Sequence, residues 1–389
     1  MPLRIVIDVR HIRDFGVGTY IRSLTHGLGA IDLENHYTLV SLPEDARTIF
    51  GLPANFEVVV YPHPDTHYSE HLSFPMFLRG LKPDLVHMPL NRVPVMMVRP
   101  YVVTIHDMAS LIFEGGSGPR MELRRFRFRR GLLRANRVIA VSEATRRDVQ
   151  KILGVPPDRI RRVYNAPNPE FFAHGLVADA RAAGPTAEER ERRRILERYS
   201  IHYPYVLYVG NIRPQKNIPR LVEAFAVVRS NLADHPVYKD LRLIIIGDEI
   251  TLYPSVRQAV IRSRVENAVR FLGFVPLDTL RCLYGCAAAF VFPSLYEGFG
   301  LPPLEAMASG TPVVTSNVSS LPEVVGDAAV LVNPENVFDI ARGMREALTD
   351  EALRSRLQIK GPEHAARFSW ERTAREVLEV YREVVKERT

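Results

Sequence analysis

Tyr296-Glu297-Gly298-Phe299-Gly300-Leu301-Pro302-Pro303-Leu304-Glu305-Ala306-Met307-Ala308-Ser309-Gly310 decides how the rest of this 389-residue chain is read. Immediately upstream, Ala287 to Phe292 is an apolar run ending at Pro293-Ser294, the pattern of a buried parallel strand leaving its sheet. Gly298 and Gly300 allow a tight turn and close approach to a ligand. Pro302 and Pro303 suit the first turn of a helix, where a missing N–H costs little. The helix predicted through Leu304, Ala306, Met307 and Ala308 stops at Gly310. Strand, glycine loop and helix start, in that order, aim backbone N–H groups and a positive dipole end at an anion.

Two carboxylates flank this anion site, Glu297 in the loop and Glu305 in the helix. A site for phosphate alone would be weakened by them. A ligand that also carries hydroxyls would not, because carboxylates accept charge-assisted bonds of roughly 1.5–3 kcal/mol each. Phosphate and sugar hydroxyls together describe a nucleotide sugar. The plainer alternative is a βα turn with one solvated glutamate and one glutamate facing the helix dipole.

Outward from this stretch the chain alternates. Upstream strand candidates are Leu3–Val9, Tyr37–Ser41, Phe56–Tyr61, Asp84–Met88, Tyr101–Ile105, Arg137–Val141 and Ile160–Tyr164. A second series comprises Tyr205–Val209, Leu241–Ile246, Val269–Val275, Pro312–Thr315 and Ala328–Val332. Helical or polar segments separate them, which predicts two α/β, doubly wound parallel sheets. From Ala173 to Ser200 the composition shifts to Ala, Gly, Glu and Arg, reading as a link with a surface helix that starts near Pro185. The expected division is residues 1–172, a linker 173–203, a second domain 204–370, and a terminal helix 371–389 capped by Ser369. The segment from Asn336 onward is expected to be helical and broken near Gly361-Pro362.

Polar groups gather at predicted strand ends, where open α/β sheets place ligand contacts. Gly16 and Gly18 follow the first strand, and His106-Asp107 follows Tyr101–Ile105, as ligand contacts or as helix caps. Gly210, Arg213 and Lys216 follow Tyr205–Val209, where the cations either neutralise a diphosphate or merely solvate a loop. Asp-x-Asp is absent from the sequence, so no obvious carboxylate pair bridges a metal to a diphosphate.

A net charge of +7 suits an anionic partner. Arg120, Arg124, Arg125, Arg127, Arg129, Arg130, Arg134 and Arg137 alternate with Met121, Leu123, Phe126, Phe128, Leu132 and Leu133. That segment is either a helix on an anionic membrane surface or a solvated helix with its apolar residues in the core. No nucleic-acid motif accompanies the charge. No run reaches membrane-spanning length, and Met1 to Val9 lacks signal-peptide shape. Cys282 and Cys286 lack further metal ligands nearby in sequence and read as buried small residues in a reducing cytoplasm.

The run Phe290 to Thr315, with seven residues between Glu297 and Glu305, resembles the E-x7-E signature of retaining glycosyltransferase family 4. The resemblance implies a GT-B fold, two Rossmann-like domains facing a central cleft, with the terminal helix crossing back onto the first. It also implies metal independence and no cofactor beyond the nucleotide-sugar substrate. Arg213 and Lys216 would hold the diphosphate with Gly298, Phe299, Gly300 and Leu301. Glu297 would hold the sugar hydroxyls, Glu305 the ribose, and Phe274 and Val275 would border the base. Gly16, Gly18 and Gly210 would lie along the donor, and His106 would contact the sugar or stabilise developing charge. Ser320 to Pro334, with the Gly16 loop, resembles the branch that builds O-antigen and polysaccharide. This points to mannose from GDP-mannose passing to a saccharide or lipid-linked acceptor, in the cytoplasm or at the inner face of the membrane. A UDP-hexose donor, a GT-B nucleotide-sugar epimerase and a non-catalytic nucleotide-sugar-binding protein are the rival readings.

Overall fold

The computed structural model describes residues 2–67, 69–90, 92–113, 118–172, 187–247 and 253–387. The chain divides into two compact units, Met1–Ala166 with Phe368–Thr389, and Pro167–Arg367. Residues 167–172 group with the second unit rather than the first. There Ser309 Oγ donates to the Phe171 carbonyl at 3.2 Å, and the Phe171 ring meets Tyr284 edge-on at 5.4 Å. Residues 173–186 of the expected linker lie outside the described residues; a helix runs from Ala187 to Arg198.

In the first unit, β1 (Arg4–Asp8), β2 (His36–Ser41), β3 (Phe56–Val60), β4 (Leu85–Met88), β5 (Tyr101–Ile105), β6 (Arg137–Ala140) and β7 (Ile160–Arg162) form one sheet ordered β3-β2-β1-β4-β5-β6-β7. In the second, β8 (Tyr205–Val209), β9 (Arg242–Ile246), β10 (Val269–Gly273), β11 (Ala289–Phe292), β12 (Val313–Ser316) and β13 (Val330–Val332) are ordered β10-β9-β8-β11-β12-β13. Neighbouring strands pair in parallel. Both are Rossmann-like sheets, covered on both faces, which is why the central strands are unbroken apolar runs rather than alternating ones. Tyr101–Ile105 and Tyr205–Val209 appear with the expected bounds; Ala287–Phe292 shortens to Ala289–Phe292.

The terminal helix Trp370–Lys386 opens on Ser369, whose side chain accepts from the Arg372 amide. Its buried stripe, Trp370, Ala374, Val377, Leu378, Tyr381 and Val384, joins the core of the first unit beside Ile21, Leu24 and Leu28 of the helix Phe15–Ile31. Gly361-Pro362 does not break the chain's helical course as the sequence suggested. The helices Val337–Thr349 and Glu351–Ala365 meet instead at Asp350, whose carboxylate caps the second through the Leu353 amide at 2.9 Å. A cap that satisfies an orphan N–H sets the boundary more firmly than an interior proline that removes one.

Candidate functional site

The strand order of the second sheet turns back between β8 and β11, the crevice where open α/β sheets bind ligands. Two loops close over it. After β8 come Gly210, the exposed Arg213 and a 3-10 turn at Pro214–Lys216, followed by Asn217 in the left-handed conformation at φ 60°. Asn217 is buried, and its Nδ2 donates to the Pro293 carbonyl at 3.0 Å and the Pro334 carbonyl at 2.7 Å. The Leu295 amide donates to the Gln215 carbonyl at 2.7 Å, stitching the loop after β11 to the loop after β8.

Across this seam Lys216 Nζ donates to Glu297 Oε1 at 2.5 Å, with side chains only 15% and 11% exposed. The ammonium also lies 5.4 Å from the centre of the Phe292 ring, within cation–π range. Lys216 therefore does not stand as a free cation; it is matched by the glutamate expected to hold sugar hydroxyls. Arg213 forms no ion pair among the described residues. Glu297 is pinned by its backbone: its amide donates to Ser319 Oγ at 3.2 Å, and Ser319 Oγ donates back to its carbonyl at 2.6 Å. Ser320 Oγ fixes the loop further through the Phe299 carbonyl at 2.6 Å. At Gly300, φ is +115°, and a Cβ would sit 2.8 Å from the buried Leu321 side chain. The position excludes other residues on both counts.

The helix Leu301–Ala308 begins at Gly300, so no side chain caps its first-turn amides. One turn in, Glu305 Oε2 accepts from Tyr284 Oη at 3.1 Å. Burial raises the Glu305 carboxyl to about 7, an effect the Tyr284 bond only partly offsets, although part of the residue still reaches solvent. Glu305 thus titrates near neutrality. Phe274, 60% exposed, and the half-buried Val275 follow β10 at the sheet edge.

Gly16, Gly18 and His106 belong to the first unit. A Cβ on Gly18 would fall 2.4 Å from the Ile12 carbonyl oxygen, so that glycine is required by packing within the protein. At Gly16 a Cβ would meet nothing within 4 Å among the described residues. His106 Nε2 lies 3.0 Å from the Pro89 carbonyl, which can only accept; the ring must donate there, leaving Nδ1 an acceptor with no partner among the described residues. Burial brings the ring down to about 4, outweighing that hydrogen bond and Asp107, so it is neutral near pH 7. Tyr20 meets it edge-on at 4.7 Å and continues through Thr104 to His87 and Tyr381, at 3.0, 2.8 and 2.6 Å.

The sequence reading missed a second polar centre here. Arg10, 1% exposed, spends every N–H: two on Asp8 at 2.9 and 2.8 Å, and Nη1 and Nη2 on Glu70 at 3.1 and 2.8 Å, with Nη1 also on the His63 carbonyl. Its guanidinium stacks 3.8 Å over Phe74. The signal available was Asp8-Val9-Arg10 at a strand end, but Glu70, sixty residues on, could not be paired with it from spacing. Asn217, Ser319, Ser320 and Tyr284 were missed for the same reason.

The arginine-rich segment is not a uniform cationic face. It folds as the helix Pro119–Arg134 followed by β6. Arg129 and Arg134 donate to the Leu153 and Val95 carbonyls at 3.0 and 3.1 Å, and Arg137 pairs with Glu383 and Glu387 of the terminal helix. The side chains of Arg120, Met121 and Arg124 lie outside the described residues. Leu123, Phe126, Arg127 and Arg130, at helical spacing, remain exposed.

Residues 16–171 match the family described as Glycosyltransferase Family 4, and residues 191–364 match Glycosyl transferases group 1. The chain is 32% identical over 309 residues to the O-antigen chain mannosyltransferase B of Escherichia coli, covering 78% of this chain and 76% of that one. It is 34% identical over 246 residues to the serotype-specific mannosyltransferase WbdA of Escherichia coli, covering 63% of this chain but 28% of that longer one. Among solved structures, sucrose-phosphate synthase from Thermosynechococcus elongatus superposes with a TM-score of 0.76 over 99% of this chain and all of that one, at 20% identity, a likeness of fold. No helix among the described residues is long and apolar enough to cross a membrane.

Proposed function

The chain belongs to glycosyltransferase family 4 and carries the GT-B fold, and from that premise we propose that it transfers mannose from GDP-mannose, with retention, to a saccharide or lipid-linked acceptor in cell-surface polysaccharide synthesis. The observation that carries the reading is the Lys216–Glu297 pair lying across the β8/β11 crevice. It supplies both kinds of group that a sugar diphosphate needs, in one fixed unit.

In this reading Glu297 keeps Oε1 on Lys216 and accepts a sugar hydroxyl on Oε2. Lys216, the exposed Arg213 and amides of the 298–301 loop receive the charge that develops on the leaving diphosphate as the anomeric C–O bond breaks. Preorganised donors of that kind are worth about 10²–10³-fold each. The acceptor hydroxyl attacks from the face the diphosphate leaves, and its proton passes to the departing phosphate oxygen, which gives retention without a protein nucleophile. Glu305 accepts from the ribose hydroxyls, and the exposed Phe274 ring flanks the base. His106, neutral, accepts from a sugar hydroxyl on Nδ1. With no Asp-x-Asp in the chain, no divalent ion is assigned a part.

Mannose rests on the names of the two Escherichia coli relatives, and GDP on the resemblance carried by Ser320 to Pro334 and the Gly16 loop. A thermal-shift panel of GDP-mannose, UDP-glucose, UDP-galactose and UDP-N-acetylglucosamine, followed by donor hydrolysis, tests them. GDP-mannose should stabilise most; preference for a UDP sugar would transfer the reading to another hexosyltransferase, and epimerisation of UDP-N-acetylglucosamine without acceptor would end it. The face formed by Leu123, Phe126, Arg127 and Arg130 is assigned to an anionic membrane surface. Co-sedimentation with phosphatidylglycerol vesicles, lost in Phe126→Glu, checks that assignment.

A further inference from the structure

Cys282 and Cys286 have no place in the transfer reaction, yet they occupy one face of the helix Leu277–Cys286, four residues apart. Cys282 is buried, with Sγ 3.8 Å from the Arg192 carbonyl, while Cys286, the last helical residue, is partly exposed. A cavity of about 380 Å³ opens beside Cys282, lined also by Phe171, Phe172, Arg192, Ile195 and Gly285. The influence of Cys282 holds the Cys286 thiol below the usual range, against the opposing effect of burial and with help from Arg192. The neighbouring Cys286 and burial push Cys282 up. The more exposed Cys286 is thus the thiol more easily deprotonated, one helical turn from a buried partner, the arrangement of an attacking and a resolving thiol.

Between them in sequence is Tyr284, pointing the other way. It is fully buried, its Oη holds Glu305 at 3.1 Å, and its carbonyl accepts from Thr311 Oγ1 at 2.6 Å. Residues four apart on a helix are separated by about 6 Å along the axis, within the Cα range of a disulfide. Their Cβ atoms, at about 5–6 Å, exceed the roughly 3.5–4.5 Å a disulfide requires. Closing the bond must therefore draw in the last turn of this helix. That turn is the one that holds Tyr284.

We propose that Cys282 and Cys286 form a redox modification site, oxidised to an intramolecular disulfide by a disulfide of the glutathione class, and that closure loosens the Tyr284 contact to Glu305 and weakens nucleotide-sugar binding. In the first step the Cys286 thiolate attacks one sulfur of the oxidant and expels a thiolate, giving a mixed disulfide. Cys282 then loses its proton to solvent and attacks Cys286 sulfur, expelling the second thiolate. Two protein thiols are oxidised and one external disulfide is reduced to two thiols. The effect on binding rests on Glu305 being a donor contact; formation of the bond does not.

The test equilibrates the full chain with graded ratios of oxidised to reduced glutathione, then reads free thiols, intact mass and GDP-mannose affinity by calorimetry. Wild type should lose both thiols with a mass decrease of two hydrogens. Its affinity should fall about tenfold, the scale of one hydrogen bond to a charged group, and recover with dithiothreitol. Cys282→Ser should stop at a mixed disulfide, and the double variant Cys282→Ala/Cys286→Ala should keep its affinity under oxidation. A wild type that stops at the mixed disulfide, or keeps both thiols, overturns the site. If the bond forms and affinity holds while Glu305→Ala still weakens binding, the coupling through Tyr284 is wrong. If Glu305→Ala is silent as well, the donor assignment has failed and the modification site stands alone.

Discussion

The two units use the same strand order to opposite ends. At the β1/β4 crevice of the first, charge is enclosed: Asp8 and Glu70 spend themselves on Arg10, and the chain Tyr381–His87–Thr104–Tyr20 is buried. At the β8/β11 crevice of the second, charge is held ready: Lys216 and Glu297 face each other across a seam, Glu305 titrates near neutrality, and Arg213 is exposed. Topology offers a crevice twice, and side-chain chemistry decides how its charges are matched.

That contrast breaks most visibly at Arg10. Arg10→Ala leaves two buried carboxylates facing each other and should cost about 3–5 kcal/mol in denaturant unfolding, with the donor affinity of the folded protein unchanged. A variant as stable as wild type would mean that water reaches Asp8 and Glu70. Lys216→Ala and Glu297→Ala should do the reverse, each lowering turnover about 10²–10³-fold in a protein that still folds. A double-mutant cycle sharpens this, since additive losses would show that the two side chains act separately.

Opposite pH trends come next. In the proposed role Glu305 accepts donor hydroxyls as a carboxylate, so its proton must leave before the donor binds. Affinity should rise about tenfold as pH climbs through 7 and then level off, because the carboxyl lies near 7 in the free protein. Glu305→Gln should flatten that profile; a wild-type affinity insensitive to pH would contradict the assignment. In the first unit, burial would lower His11, but its bonds to Asp65 and Asp14 raise it to about 9. The folded state therefore binds the proton more tightly than the unfolded chain. That stabilisation is complete below about 6.5 and lost as pH rises to 9. With Asp14 largely exposed it should amount to about 1 kcal/mol. His11→Asn should remove the pH dependence of unfolding over that interval.

Much of this was legible in the residues. Parallel strands buried on both faces are continuous apolar runs, so Tyr101–Ile105 and Tyr205–Val209 could be read to the residue. The Glu297–Glu305 spacing placed the glycine loop and its helix. What could not be read was pairing across distance. Lys216 and Glu297 are 81 residues apart, so two free cations were expected where the fold leaves one of them matched. Gly16 and Gly18 look alike in a string of letters and differ only because the Ile12 carbonyl lies against the second. Counting arginines between Pro119 and Val138 likewise said nothing of Arg129, Arg134 and Arg137, whose guanidinium groups are spent on carbonyls and on the terminal helix.

The proposed transfer depends on where the charge of the leaving diphosphate goes. Calorimetric titration of GDP-mannose into chelator-treated protein, repeated with added magnesium and with Lys216→Ala, addresses it directly. Equal affinity with and without the metal, and a large loss in Lys216→Ala, is the predicted result. Binding that appears only when magnesium is restored, and that Lys216→Ala leaves intact, would contradict it.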